Sequence, residues 1–235
     1  MTKSSLEDIL KIEFNINNEE IFTKLFKYYE LLIEANNTMN LTTITDIDDV
    51  YIKHFYDALL LSKCVDLNSR LRLLDIGSGA GVPGIILKIC FPLVDIVLLE
   101  ATTKRCNFLN EVINKLDLKN IEVVNDRAEN YIANNRESFD IVTARAVANL
   151  PMLLELSAAY VKIGGFFMPL KGANINDELK NSKTAEKILK LSLEEKYKFK
   201  LPFDKGERII LKYRKMNKTN PIYPRKYNRI KDKPL

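Results

Sequence analysis

The sequence predicts an α/β protein built on a doubly wound, mostly parallel sheet of seven strands. From residue 71 onward, five short and nearly continuous apolar runs alternate with helical patterns, and such runs are typical of parallel strands buried on both faces. A glycine-rich turn follows the first run directly. Two more runs near the C-terminus flank the tripeptide "DKG" and predict an antiparallel hairpin that completes the sheet.

The first 65 residues predict a helical cap. Apolar residues recur at spacings of three and four over residues 18–35, which indicates an amphipathic helix. Asn17 is expected to cap it, and Glu20 completes a capping box. A second helix is expected over residues 49–64, after a polar, Thr-rich loop.

The strand–helix alternation sets the expected boundaries. The strands are predicted over residues 71–76, 94–100, 120–126, 139–145 and 164–171, the hairpin over 196–203 and 207–214, and the main helices over 103–116 and 175–192. We therefore expect three parts, which are a helical cap (1–65), a core (66–215) and a basic C-terminal tail (216–235). The tail either packs on the core or extends from it.

Composition indicates an ordinary globular protein. The chain has 235 residues, of which 46% are hydrophobic and 29% charged. No apolar run approaches the roughly 20 residues that cross a bilayer, and the charged N-terminus does not resemble a secretory signal. Cys64, Cys90 and Cys106 are widely spaced and odd in number, so reduced thiols, no metal site and a cytoplasmic protein are expected.

Charge is concentrated at the C-terminus. Residues 212–235 hold nine basic residues and one acid, a local charge of +8 in a chain of net charge +5, which leaves −3 for the rest. Tyr213, Tyr223 and Tyr227 lie among these cations. Basic residues interleaved with aromatic ones favour nucleic-acid contact, whereas a solvated tail that maintains solubility is the alternative.

The glycine-rich turn "DIGSGAGVPG" fits two kinds of ligand. Gly77, Gly79 and Gly81 form G-x-G-x-G, while Gly79, Gly81 and Gly84 also form the G-x-G-x-x-G of dinucleotide-binding proteins. Asp75, just before the turn, favours a cationic sulfonium cofactor over two phosphates, and it could also organise the loop.

Polar residues at the ends of the later strands are further candidates. Glu100 ends the second strand, where an acid holds ribose hydroxyls in both ligand classes. Asp126 and Glu129 after the third strand could read an adenine edge or be surface charges. Arg145 ends the fourth strand, and a buried arginine there predicts either a ligand contact or a structural ion pair.

A set of motifs then resembles one family along most of the chain. They are "MNLTTITD" (39–46), "IKHFYDALLL" (52–61), "DIGSGAGVPGI" (75–85), "KRCNFLN" (104–110), "TARAVANLPMLLE" (143–155), "LKG" (170–172) and the terminal "YPRK…KDKPL". Together they resemble the bacterial small-subunit ribosomal RNA methyltransferase G family, also called glucose-inhibited division protein B. The resemblance implies a class I, Rossmann-like methyltransferase that transfers a methyl group from S-adenosyl-L-methionine to N7 of a guanine in 16S rRNA.

The resemblance also implies site residues. With the acid and glycines noted above, the expected cofactor-binding set is Asp75, Gly77, Gly79, Val82, Glu100, Ala101, Thr102, Ala128, Glu129 and Arg145. Val82 is smaller than the residue usual in the family, and Glu100 replaces an aspartate found in many members. Independently of the resemblance, no general base is needed at a guanine N7, so Asn40, His54, Arg145 and Lys171 are expected only to position the substrate, and a purely structural role is the alternative for each of them.

Two other functions stay open at this point. One is a methyltransferase that acts on another RNA or on a small molecule, and the other is a nicotinamide-dependent oxidoreductase, which the second glycine spacing permits. The expected partner is 16S rRNA or the small ribosomal subunit, without membrane contact, and the expected state is a monomer.

Overall fold

The computed structural model describes residues 3–235, with side chains from residue 6 onward. Its centre is a seven-stranded sheet in the order β3-β2-β1-β4-β5-β7-β6. The strands are β1 (Arg72–Ile76), β2 (Asp95–Glu100), β3 (Ile121–Asn125), β4 (Phe139–Arg145), β5 (Val161–Gly172), β6 (Leu191–Lys200) and β7 (Glu207–Lys215). The first five strands pair in parallel, and β7 runs antiparallel to both β5 and β6. The predicted doubly wound α/β architecture is confirmed.

Helices cover both faces of the sheet. The α-helices are α1 (Lys3–Phe14), α2 (Glu19–Met39), α3 (Ile47–Val50), α4 (Asp57–Leu59), α5 (Gly84–Cys90), α6 (Thr103–Lys115), α7 (Ala128–Tyr131), α8 (Leu150–Ala158), α9 (Asn176–Asn181), α10 (Lys183–Leu189) and α11 (Tyr227–Asp232). A π-helical turn, Tyr51–Tyr56, joins α3 to α4, and the 3₁₀ turn Leu60–Lys63 continues α4. None of the described helices is long and apolar enough to span a membrane.

The apolar strands divide their side chains between two cores. Leu73 belongs to the cluster that contains α2, α5 and α6, whereas its neighbour Leu74 belongs to the cluster that contains α8, α10 and α11. This division follows from the two-residue period of a strand, which sends successive side chains to opposite faces. The helices of the cap therefore share a hydrophobic core with the sheet, and the predicted three-part division of the chain stays a prediction.

Sequence-based boundaries were wrong at several positions. Asn18, not Asn17, caps α2, because Asn18 has the extended backbone and its side chain accepts the Glu20 amide at 2.9 Å. The helix predicted to reach residue 192 ends earlier, since Lys190 takes a left-handed conformation there. The β6 strand then begins at Leu191, five residues before its predicted start, and pairs with Lys215.

The C-terminal tail packs on the core. Ile230 of α11 is fully buried against the α8 side of the sheet. Arg225 donates from its backbone and its guanidinium to Glu155, which is buried in α8. Arg136 donates to the carbonyl oxygens of Thr219 and Tyr223 at 3.1 and 2.8 Å. These contacts favour a tail that packs on the core over one that extends from it.

Candidate active site

The glycine-rich turn lies at the carboxyl edge of the sheet, beside the switch point between β1 and β4. Gly77, Gly79 and Gly81 have φ angles of +67°, +58° and +97°, a region that L-residues with side chains rarely adopt. The Gly77 amide donates to the Leu99 carbonyl at 2.8 Å, and the Tyr28 hydroxyl of α2 donates to the Ala80 carbonyl at 2.7 Å. The turn is therefore held from β2 on one side and from the cap on the other.

Asp75 lies beneath this turn. Its side chain is fully buried, and Oδ2 accepts the Gly84 amide at 3.0 Å. Burial, only partly opposed by that hydrogen bond and by Arg145, raises the pKa of the carboxyl to about 7. Because Asp75 points toward α5 from below the turn, its observed role is to organise the loop, and its predicted contact with the cofactor stays a prediction.

Glu100 joins the turns that follow β1 and β2. Its buried carboxylate accepts the Gly79 amide at 3.0 Å through Oε2 and the Thr102 amide at 2.9 Å through Oε1. Thr102 then caps α6, and Ala101 lies exposed between them. Two backbone amides thus fix the orientation of an acid at the end of the second strand, where a ribose is usually held.

The end of β3 contributes a small turn of helix. Ala128 is buried and its carbonyl accepts the Tyr160 hydroxyl at 2.5 Å, which anchors α7 to the sheet. The Glu129 side chain is only 11% exposed and lies 3.9 Å from Arg127. Asp126 bonds the Arg127 amide instead, so it stabilises the turn itself.

Arg145 ends β4 within a network of polar side chains. Its Nη1 donates to the Lys53 carbonyl and to Asp57 Oδ2, both at 2.9 Å, and Nη2 lies 3.1 Å from His54 Nδ1. Asp57 is buried and also accepts from Arg208 Nε at 3.1 Å. The structural ion pair that the sequence left open is therefore present, and the same arginine also lines the site.

His54 is neutral in this network. His54 Nδ1 lies 3.1 Å from Arg145 Nη2, which can only donate, and 3.0 Å from the Lys53 carbonyl, which can only accept, while Nε2 lies 3.0 Å from Thr42 Oγ1. Burial, with the charge of Arg145 as a second cause, lowers the pKa of His54 to about 4. The π turn that carries His54 also presents the Lys53 carbonyl to Arg145, and such turns are frequent at functional sites.

The other two predicted positioning residues differ in location. Lys171 lies near the network, where its ammonium pairs with Glu178 at 2.7 Å and donates to the Ala148 carbonyl at 3.1 Å. Asn40 caps the end of α2 in a left-handed conformation and is exposed. The structure therefore brings His54, Arg145 and Lys171 to one wall, but does not bring Asn40 into that cluster.

Three cavities follow one another along the carboxyl edge. The edge cavity, about 190 Å³, is lined by residues that include Gly77, Ala101, Ala128 and Glu129. The loop cavity, about 250 Å³, shares Gly77 with it and is lined also by Gly79, Val82, His54 and Arg145.

The third space, the basic cavity, is about 300 Å³ and shares His54 and Arg145 with the loop cavity. Lys53, Lys171, Arg208 and the carboxylate of Asp57 also line it, and Lys53 and Lys171 are paired with Asp49 and Glu178 at 2.9 and 2.7 Å. A larger cavity of about 550 Å³ lies at the opposite edge, around Arg72 and Asp95. Ligands of doubly wound sheets bind at the carboxyl ends of strands, which favours the row of three.

Sequence reasoning missed several residues of the site. Asp57 and Arg208 complete the network around Arg145, and Val147 covers Gly77, where an added Cβ would lie 2.6 Å from Val147 Cγ2. Tyr227 of the tail lines the edge cavity. The spacing of His54 and Asp57 on one predicted helix could have indicated a shared face, but the approach of Arg208 from the hairpin had no signal in the sequence.

The comparisons with known proteins decide the family. Residues 21–205 match the model of the family described as rRNA small subunit methyltransferase G. The chain belongs to this family. Ribosomal RNA small subunit methyltransferase G of Bacillus cytotoxicus is 46% identical over 201 residues, which cover 85% of this chain and 84% of the relative. The relative of the same name from Mesoplasma florum is 45% identical and covers 92% and 90%.

Solved structures agree on the fold of this family member. A SAM-dependent methyltransferase from Aquifex aeolicus superposes with a TM-score of 0.54 and 17% identity, over 72% of this chain and 93% of that one. Aeropyrum pernix fibrillarin, solved with natively bound S-adenosyl-L-methionine, gives 0.53 and 17%, over 67% and 73%. The predicted class I, Rossmann-like methyltransferase fold is confirmed. Membership in the methyltransferase G family also removes the nicotinamide-dependent oxidoreductase and small-molecule alternatives.

Proposed function

We propose that the protein transfers a methyl group from S-adenosyl-L-methionine to N7 of a guanine in 16S rRNA. Beyond family membership, one observation carries the proposal, which is the row of three neighbouring cavities with shared lining residues along the carboxyl edge. The edge and loop cavities share Gly77, and the loop and basic cavities share His54 and Arg145. A cofactor in the first two would present its methyl group toward the third.

The residues present fit this cofactor. Glu100 offers a carboxylate, held by two amides, to the ribose hydroxyls. Ala128 and Glu129 line the edge cavity on the adenine side. Gly77 and Gly79 leave room for the methionine end because neither has a side chain, and Val82 forms an apolar part of the loop cavity. Asp75 lies beneath the turn, where it accepts a hydrogen bond from the Gly84 amide and thereby stabilises the conformation of the turn.

Bound S-adenosyl-L-methionine supplies an electrophilic methyl group on a sulfonium. A guanine N7 has a lone pair and no proton, so the protein needs no general base there. The work of the chain is to align the base, which lowers the entropic part of the barrier. His54, kept neutral, adds no positive charge beside a base that becomes cationic, and Asp57 offsets the charge of Arg145 and Arg208.

The basic cavity is proposed to receive the RNA strand around the target guanine. Lys53, Lys171 and Arg208 would contact phosphates there, and the target base would have to leave its stack to reach the loop cavity.

We propose that the substrate is 16S rRNA, either free or in the small subunit, and that the enzyme acts as a monomer. We also propose that it works in the cytoplasm, where ribosomal RNA is found.

Methyl transfer from labelled cofactor tests the proposal. The full chain is incubated with 16S rRNA from cells that lack the modification, both as naked RNA and as small subunits, and chemical cleavage at 7-methylguanine locates the product. We expect label at one guanine in at least one of the two substrates. Absence of label in both, with a protein that binds S-adenosylhomocysteine, would contradict the proposed acceptor.

Glu100→Ala tests the cofactor assignment. Loss of the carboxylate removes the proposed ribose contact and the anchor of the Gly79 amide, and hydrogen bonds to charged groups contribute about 1.5–3 kcal/mol each. We expect the Kd for S-adenosylhomocysteine, measured by calorimetry, to rise at least 10-fold. Glu111→Ala, on the exposed face of α6, is the matched control. Equal affinities of the two variants would remove Glu100 from the site.

A further inference from the structure

The C-terminal segment 216–235 has a fixed position beside the site. Glu155 is fully buried and accepts three hydrogen bonds from Arg225, at 2.9 Å from the backbone amide and at 2.8 and 2.6 Å from the guanidinium. Arg225 also donates to the Lys233 carbonyl at 3.0 Å, across α11. Together with buried Ile230, these bonds hold both ends of the short helix against α8.

Tyr227, at the start of α11, reaches the edge cavity from this segment. It lines the cavity together with Gly77 and Ala101, which directly follow β1 and β2, and with Ala128 of α7. The Arg127 guanidinium lies 5.4 Å from the centroid of its ring, a cation–π contact that orients the ring. The tail therefore supplies the aromatic side chain among the residues that line this cavity.

The chemistry of the cavity suits a purine ring. Its lining is mostly apolar, with Ile76, Leu99, Val147 and Leu156 in addition to the tyrosine, and the lining carboxylates of Asp126 and Glu129 can accept hydrogen bonds from an exocyclic amine. In single-stranded nucleic-acid complexes, removal of an aromatic ring that stacks on a base weakens binding measurably. We expect a similar contribution from an aromatic ring that packs against a purine in this cavity.

We propose that Tyr227 is a cofactor-binding residue whose ring packs against the adenine of S-adenosyl-L-methionine, which makes the basic C-terminal segment a structural part of the cofactor site. This inference rests on the proposed function, because it takes the edge cavity as the adenine site. It also implies that the segment contacts two ligands, with Tyr227 directed at the cofactor and exposed cations such as Arg229 and Lys231 directed at solvent and RNA.

Calorimetric titration of S-adenosylhomocysteine into the full chain tests the proposal. We expect Tyr227→Ala to raise the Kd roughly 5- to 30-fold and Tyr227→Phe to leave it within about 2-fold of wild type, because phenylalanine keeps the ring. Tyr223→Ala is the matched control, since Tyr223 packs in the same segment but is not among the residues that line the cavity. It should bind as wild type does.

Hydrogen–deuterium exchange of the wild-type protein gives a second readout that needs no variant. Amides of residues 227–232 should exchange more slowly with S-adenosylhomocysteine bound. Three outcomes would overturn the inference: unchanged affinity of Tyr227→Ala, equal losses of affinity in Tyr223→Ala and Tyr227→Ala, or unchanged exchange in residues 227–232. In each case, binding of S-adenosylhomocysteine by the wild-type protein would leave the proposed function intact. Failure of the wild-type protein to bind S-adenosylhomocysteine would instead contradict the proposed function itself.

Discussion

At the scale of single residues, the site depends on ionisable groups whose charge is set by burial. His54 is held neutral beside Arg145, and Asp57 is shared by two arginines. Asp57 Oδ1 is buried with no hydrogen-bond partner, so the carboxylate depends on the two guanidinium groups that contact Oδ2. Loss of any one of these groups would leave a buried polar partner unsatisfied, so the network requires that all of them lie on rigid elements.

The low pKa of His54 predicts a pH dependence of stability. The folded pKa is about 4 and the ordinary value is 6.5, so between these values the unfolded state binds the extra proton. The free energy of unfolding therefore rises with pH across this window and gains nothing from His54 above it. We expect wild type to gain about 2–3 kcal/mol over His54→Gln between pH 4.5 and 7.

Urea unfolding of both proteins from pH 4.5 to 8 measures this difference. Subtracting the free energy of unfolding of the variant from that of wild type removes the contributions of carboxylates that titrate in the same window. Asp75 is one of them, and its raised pKa makes stability fall as pH rises, opposite to the effect of His54. A difference that does not change between pH 4.5 and 7 would mean that His54 titrates alike in the folded and unfolded protein.

At the scale of elements, the glycine-rich turn is a packing device as well as a binding loop. Gly84 begins α5 where the helix crosses β2, and an added Cβ would overlap Leu98 Cδ2 and lie 2.9 Å from Asp75 Oδ2. The last glycine of the motif thus allows close approach of helix and sheet, whereas Gly77 and Gly79 provide the left-handed backbone of the loop.

Gly84→Ala is expected to destabilise the protein by about 1–3 kcal/mol, because both neighbours of the added methyl group are buried and cannot move freely. It should also weaken binding of S-adenosylhomocysteine, since Asp75 would have to shift. The measurements are urea unfolding and calorimetry. Gly172→Ala is the control for stability, because nothing lies within 4 Å of its added Cβ, and a change within about 0.5 kcal/mol is expected there. Similar losses in both variants would refute the packing argument.

At the scale of the whole molecule, the positive charge of residues 212–235 is divided between buried and exposed side chains. Lys215 is buried and donates to the Ala158 carbonyl, Tyr213 is buried in the sheet, and Arg225 pairs with Glu155. The exposed cations of the tail are Lys218, Lys226, Arg229, Lys231 and Lys233. Fewer of its basic residues are therefore available to RNA than the local charge of +8 implies.

Neutralising exposed tail cations is expected to weaken RNA binding without changing cofactor affinity. The double variant Arg229→Gln and Lys231→Gln should lower the affinity for 16S rRNA and reduce the slope of log K against log salt by about 1–2, because fewer counterions are released. Lys119→Gln with Lys187→Gln, two exposed lysines outside the tail, is the matched control. Filter binding across a salt series measures both. Equal slopes would show that the tail does not contact phosphates.

The architecture and the family could be predicted from the amino-acid sequence without the structure. Apolar runs buried on both faces, glycines at fixed spacing and acids at strand ends are local patterns, and local patterns follow from the backbone and from burial at single positions. Seven strands, the hairpin and the positions of Glu100 and Arg145 were predicted in this way, although helix ends and caps were missed where one left-handed residue decided them.

Contacts between residues that are distant in sequence became evident only in the folded chain. Arg145 of β4 and Arg208 of the hairpin are far apart in sequence and converge on the carboxylate of Asp57 in the cap, and Tyr227 of the tail lines the edge cavity. No periodicity encodes such contacts, because they depend on how complete elements pack. The ion pair between Arg225 and the buried Glu155 likewise fixes part of the basic tail against α8.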